Sequence, residues 1–293
     1  MAQESIGIVG LGLVGRALAA RLRSHGWHPV GYDIRAEATA AFAQEGGRIA
    51  GSLAELGSAV PCVLLAVFDT RGVLEVLEGD QGLLSPAHAV RTVIDCSTGD
   101  PELLEPLAAR LQAQGIDFVE APLSGSSQQI EAGEATALVG GSAAAVCACE
   151  PLLRAISARH IHVGAAGMGA KAKLATNLVL GLNRAVLAEG FAFAEALGIP
   201  AERFLELVLA TPARSDAAAV KGPLMVAEDF APRSRIRQHL KDVDLMLQGA
   251  AHARLALPFS EQHARLLREA VAAGEGDLDN AAIVRRLRRR PAA

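Results

Sequence analysis

Three glycines constrain the start of this chain more than any other feature. An apolar run at residues 6–9 leads directly into Gly10-Leu11-Gly12-Leu13-Val14-Gly15, and a helix-forming segment at residues 15–25 follows. Ile6, Ile8 and Val9 around Gly7, stopped by Gly10, predict a buried strand. In the following segment Ala17, Leu18 and Leu22 fall on one face, as an amphipathic helix requires. Gly10 allows the tight turn between the two. Gly12 leaves the backbone bare so that a ligand can approach, and Gly15 lets the helix press against the strand. The unpaired N–H groups at the helix start carry a partial positive charge suited to phosphate. Together these residues predict a dinucleotide site, with Gly10, Leu11, Gly12, Leu13, Val14 and Gly15 around the pyrophosphate.

Asp33 ends a second strand-like run at residues 29–32. A carboxylate there accepts hydrogen bonds from ribose hydroxyls and repels a 2′-phosphate, so NAD is expected as cofactor. Arg35 stands close enough to keep NADP possible. Val67 and Phe68 end a third strong apolar run, residues 63–67, and are expected beneath the cofactor.

The alternation continues. Helical patterns at residues 36–45, 53–56, 72–77 and 101–114 separate extended runs at 49, 92–95, 118–120 and 137–139. This order predicts a mostly parallel sheet covered by helices. The pattern changes near residue 164. Beyond it come helices at 174–197, 201–210, 215–220, 236–253, 260–273 and 280–289, punctuated by Pro212, Pro223, Pro232 and Pro258. The expected fold is therefore an α/β Rossmann-type N-terminal domain (residues 1–164) followed by an all-α C-terminal domain (residues 165–293) that opens with a long helix.

Composition excludes several functions. With 51% hydrophobic residues the 293-residue chain is not disordered, and at net charge −4 it lacks the basic surface of a general nucleic-acid binder. Aromatics, at 3%, leave little for base stacking. No apolar stretch reaches membrane-spanning length, and the N-terminus lacks the basic start of a signal peptide. Cys62, Cys96, Cys147 and Cys149 read as reduced thiols of a cytoplasmic protein. His160 and His162 form a lone H-x-H with no carboxylate adjacent in sequence, so no metal is expected. The terminal run from Arg285 to Arg290 reads as a solvated complement to a helix C-terminus.

Four separated motifs carry more. Asp95-Cys-Ser97-Thr98-Gly-Asp-Pro101 follows a strand, so Ser97 and Thr98 stand at the carboxyl edge of the sheet. Glu120-Ala-Pro-Leu-Ser124-Gly125 precedes Gly133 and Gly140-Gly141. Gly164…Gly167-x-Gly169-x-x-x-Lys173-x-x-x-Asn177 opens the long helix, and Leu240-Lys241-Asp242 lies near the end. With the N-terminal glycine loop, these segments resemble the β-hydroxyacid dehydrogenase family, which includes the 3-hydroxyisobutyrate dehydrogenases and 6-phosphogluconate dehydrogenase. The resemblance runs from residue 5 to about residue 284.

It implies an NAD(P)-dependent oxidoreductase of a small anionic β-hydroxy acid. Lys173 is implied as general acid/base, with Asn177 positioning the substrate hydroxyl. Ser124 and the backbone at Gly125 and Ser126 are implied to bind the substrate carboxylate. Thr98 is implied at the nicotinamide end of the cofactor and Lys241 beside it, with Asp242 holding that lysine. Thr176 stands where several relatives carry asparagine. Ser126-Ser127-Gln128-Gln129 replaces a loop that usually begins with a further glycine, so the pocket is expected to differ. Relatives associate as dimers or tetramers, and a homo-oligomer is expected. Two other readings stay open: a reductase of a semialdehyde acid or imine on this fold, and a non-catalytic cofactor-binding scaffold.

Overall fold

The computed structural model describes residues 5–85 and 87–288. Two compact units divide the chain, one through Lys173 and one from Leu174.

The first unit is built on a sheet of β1 (Ser5–Val9), β2 (His28–Tyr32), β3 (Arg48–Ile49), β4 (Cys62–Leu65), β5 (Thr92–Asp95), β6 (Asp117–Glu120), β7 (Leu123–Ser124), β8 (Thr136–Gly140) and β9 (Arg159–Gly164). Their spatial order is β3-β2-β1-β4-β5-β6-β8-β7, with β9 also paired to β8. Every pair from β3 to β6 is parallel, while β8 runs antiparallel to β6 and β7. Strand order reverses at β1, which lies between β2 and β4, and ligands of such sheets bind at that reversal.

Around the sheet lie α1 (Leu13–Ser24), α2 (Ala36–Gln44), α3 (Leu53–Ala59), α4 (Thr70–Glu78), α5 (Pro101–Ala113), α6 (Ser127–Ala132), α7 (Ala143–Ala148) and α8 (Glu150–Ile156). Successive strand residues point to opposite faces. Ile6, Ile8, Leu64 and Ile94 pack one core with Leu18, Leu22 and Phe42. Val9, Val63, Leu65 and Val93 pack the other with Leu104 and Leu107. Both faces are buried, which explains why these strands read as continuous apolar runs.

α9 (Met168–Ala196) contains the boundary between the units. The second unit continues with α10 (Ala201–Ala210), α11 (Asp216–Ala227), α12 (Ile236–His252), α13 (Pro258–Ala272), a 3-10 turn (Asn280–Ile283) and α14 (Val284–Arg288). Phe191, Met225, Ile236, Val243, Leu267 and Ile283 form its core. Phe191 and Phe204 meet edge to face, with centroids 5.2 Å apart.

Several expectations shift. The boundary expected after residue 164 marks the end of β9, where strand gives way to helix; packing divides the chain nine residues later, inside α9. α9 starts at Met168 rather than 174, because acceptors distant in sequence satisfy the N–H groups of its glycine-rich first turn. α11 continues through Pro223 to Ala227, and burial of Met225 on its inner face outweighs the lost backbone bond. Arg289 and Arg290 lie outside the described residues. His160 does find a carboxylate, with Nε2 3.0 Å from Glu150 Oε2. Folding joins residues that sequence spacing kept apart. All four cysteines are free thiols. Among the described residues no helix is long and apolar enough to cross a membrane.

Candidate active site

The glycine loop lies where strand order reverses. Gly10 has φ +93°, and a Cβ there would lie 2.3 Å from the Ala66 carbonyl oxygen. Gly15 meets a harder limit: its Cβ would stand 1.7 Å from the Gly10 carbonyl oxygen. Only glycine lets α1 start this close to β1. No side chain caps the start of α1 at Gly12. Its first N–H groups remain available to a pyrophosphate, so the loop fits a dinucleotide. Leu11 itself is buried in the core and acts through its backbone. Leu13 and Val14 are half-buried in the first turn of α1.

Asp33 is more engaged than a ribose acceptor need be. Its Oδ2 accepts from Leu11 N–H at 2.7 Å and from Arg35 Nη2 at 2.9 Å. Oδ1 accepts from Arg35 N–H at 2.9 Å and Arg35 Nε at 3.1 Å. Burial works against the charge, but these bonds from Arg35 and Leu11 hold the carboxyl below the usual carboxylate range. Asp33 thus ties the glycine loop to the end of β2 and lays Arg35 beside Gly12.

Val67 follows β4, and its N–H donates to Ser97 Oγ at 3.1 Å. Ser97 N–H donates to Asp95 Oδ1 at 2.9 Å. Those bonds join the ends of β4 and β5 into one rim that also holds Phe68, half exposed, and Thr98, half-buried. The cap of α5 is Asp100, whose Oδ1 accepts from Glu102 N–H.

Lys173 is buried in the second turn of α9, and its Nζ donates to the Leu123 carbonyl oxygen at 2.7 Å. The ammonium therefore stands beside Ser124 and Gly125. Lys171, two residues earlier, points elsewhere and pairs with Glu105 at 2.5 Å. One expectation for this loop is corrected. Ser126 N–H donates to Gln129 Oε1 at 2.8 Å, and Ser126 Oγ accepts from Gln129 N–H at 3.3 Å. This capping box starts α6 and occupies the amide expected to bind a carboxylate. Ser124 Oγ and Gly125 N–H are the donors left in the loop for that role.

The second unit organises Asn177. Its Nδ2 donates to Asp242 Oδ2 at 3.0 Å, and Asp242 Oδ1 lies 3.0 Å from Lys241 Nζ. The expected Lys241–Asp242 pairing is present, and Asp242 also aims the Asn177 amide.

Comparison with known proteins identifies the family. Residues 5–164 match the NAD binding domain of 6-phosphogluconate dehydrogenase, and residues 167–287 match the NAD-binding domain of NADP-dependent 3-hydroxyisobutyrate dehydrogenase. The chain belongs to the β-hydroxyacid dehydrogenase family. L-threonate dehydrogenase of Cupriavidus necator is 30% identical over 96% of this chain and 95% of its own length. 2-(Hydroxymethyl)glutarate dehydrogenase of Eubacterium barkeri is 28% identical over 96% and 93%. The crystal structure of 3-hydroxyisobutyrate dehydrogenase from Salmonella typhimurium superposes with TM-score 0.85 at 28% identity, covering 96% of this chain and 99% of that one. As a β-hydroxyacid dehydrogenase, this protein is an NAD(P)-dependent oxidoreductase acting on CH–OH groups, which sets the scaffold reading aside.

Two features of this dehydrogenase escaped sequence reasoning. Glu120 is buried, with Oε1 accepting from Ala170 N–H at 2.9 Å and Oε2 from Gly167 N–H. Burial pushes its carboxyl above the usual range, against these backbone donors. Arg184, His239 and His263 are buried in the helical unit. The available signal was Arg184 itself, eleven positions after Lys173 on a helix whose only other charged residues are Lys171, Glu189 and Glu195.

Proposed function

We propose that the protein interconverts a small β-hydroxy acid, of 3-hydroxyisobutyrate-like size, and its carbonyl counterpart. The observation that carries this reading is the buried Lys173 ammonium held on the Leu123 carbonyl oxygen, next to Ser124 and Gly125. Ser124 Oγ and Gly125 N–H bind the substrate carboxylate as a neutral nest. Lys173 exchanges a proton with the reacting hydroxyl oxygen. Asn177, one helical turn later and steadied by Asp242, orients that hydroxyl. The nicotinamide cofactor, when bound, exchanges the hydride. Gly10, Gly12 and Gly15 admit its pyrophosphate to the backbone N–H groups from Gly12 to Val14, while the Leu11 N–H stays on Asp33, and Asp33 favours NAD. Val67, Phe68 and Thr98 form the rim for its nicotinamide end, and the family resemblance assigns Lys241 to cofactor binding as well.

The protein works as a homo-oligomer in the cytoplasm. Support for assembly comes from an exposed apolar stripe on α9, formed by Val179, Val186, Phe193 and Leu197. Lys173→Ala tests the mechanism: turnover should fall by about 10²- to 10⁴-fold with the cofactor Kd unchanged. Near-normal turnover would overturn it.

A further inference from the structure

We propose that Arg184 binds a second anionic group of the substrate, at the end remote from the reacting carbon. This rests on the reading of Lys173 and Asn177 given above. At 100° per residue, Lys173, Asn177 and Arg184 fall on one face of α9. Arg184 lies seven residues beyond Asn177, about 10 Å along the axis. Helical side chains lean toward the N-terminus, which brings the guanidinium back toward Asn177.

Arg184 is only 3% exposed, yet its Nε and Nη2 have no hydrogen-bond partner among the described residues. A buried guanidinium is normally matched to a carboxylate. Two carboxylates lie near enough to act on it, Asp242 and Asp279. Each already holds a lysine: Lys241 at 3.0 Å from Asp242, and Lys221 at 2.8 Å from Asp279. Three cations therefore share two carboxylates, and burial draws Arg184 down to a pKa of about 10.

The surroundings are polar and closely packed. Gly181, between Asn177 and Arg184, carries no side chain, and a Cβ there would lie 2.4 Å from His239 Nε2. The His239 and His263 rings stand 5.1 Å apart. His263 Nε2 lacks a partner among the described residues, and burial lowers this ring to a pKa of about 4, so it is neutral near pH 7. A surplus buried fork of N–H donors beside a neutral imidazole suits paired anionic oxygens, a carboxylate or a phosphate, with a hydroxyl nearby.

The test uses the full-length protein with saturating NAD. Glutarate, with two carboxylates, should raise the melting temperature and compete with substrate, whereas butyrate, with one, should bind at least about tenfold more weakly. 3-Phosphoglycerate, run alongside, decides between carboxylate and phosphate; a preference for either over butyrate supports the subsite. In Arg184→Met the advantage over butyrate should vanish. KM for doubly anionic hydroxy acids should rise about 10- to 100-fold, with kcat for singly charged ones retained. Equal binding of glutarate, 3-phosphoglycerate and butyrate to the unaltered protein overturns the proposal even if the variant fails to fold. So does glutarate binding that Arg184→Met leaves intact. A Lys173 variant that keeps its turnover would instead refute the reaction reading, and the binding comparison would stand apart from it.

Discussion

The Glu120 carboxylate accepts the Ala170 N–H at 2.9 Å, fifty residues along the chain. Its other oxygen takes Gly167 N–H. Glu120 ends β6, and Ala170 lies in the first turn of α9, three residues before Lys173. The bond therefore sets where the lysine-bearing helix begins. Glu120→Gln replaces one acceptor oxygen with a donor and leaves a buried N–H unmatched. Stability should fall by about 1–3 kcal/mol. A denaturant titration measures this, and kcat should drop more than KM changes, as displacement of Lys173 requires.

The Asp242 carboxylate links Asn177 and Lys241. Asp242→Ala should cut kcat about 10- to 100-fold, because the Asn177 amide loses its orienting acceptor. Steady-state kinetics check it, and Asp242→Asn should recover part of the loss by keeping one acceptor oxygen for Asn177.

Asp33 and Arg35 are joined by three hydrogen bonds, and under the proposed function they are expected to set cofactor choice together. The intact protein should show a higher kcat/KM with NAD than with NADP. Asp33→Ser removes the repulsive carboxylate and frees Arg35 for a 2′-phosphate, so the ratio should shift toward NADP by about tenfold or more. An unchanged ratio would refute this role.

Gly15→Ala tests the close approach of helix and strand. Its Cβ would stand 1.7 Å from the Gly10 carbonyl oxygen, so α1 must move away from β1. Calorimetric titration should show loss of NAD binding, and thermal denaturation a loss of about 1–3 kcal/mol.

His263 predicts a specific acid sensitivity. Burial, followed by the nearby Arg184 charge, lowers its pKa to about 4 from an ordinary 6.5. The unfolded chain binds this proton between those values and the native protein does not. Stability is therefore lost as pH falls from about 6.5 toward 4, by up to about 3 kcal/mol. His263→Gln should flatten that part of the stability profile relative to the unaltered protein.

Local sequence carried regular elements in both units of the fold. Thr92–Asp95 and Ala201–Ala210 occur where their apolar patterns put them, and β1 and α1 follow from one glycine spacing. These elements were legible because strand burial and helix amphipathicity repeat at fixed intervals, and because Gly15 meets a steric limit set by Gly10, close in sequence. The short pieces β7 and α6 were not: two residues and six residues are too few to show a period. Ser126 reads as an anion donor by family resemblance alone, and Gln129, which replaces part of the usual loop here, takes its amide.

What the sequence by itself determined was the presence of Lys173 and Asn177 and their spacing along one helix, the pair to which the proposed reaction assigns proton exchange and hydroxyl orientation. Tertiary structure alone decided what those groups face. Leu123 is fifty residues from Lys173, Asp242 sixty-five from Asn177, and Glu120 fifty from Ala170. Partners so remote have no periodic signature, because folding selects them through burial: a charged or polar group removed from water must find whatever acceptor the packed chain brings to it.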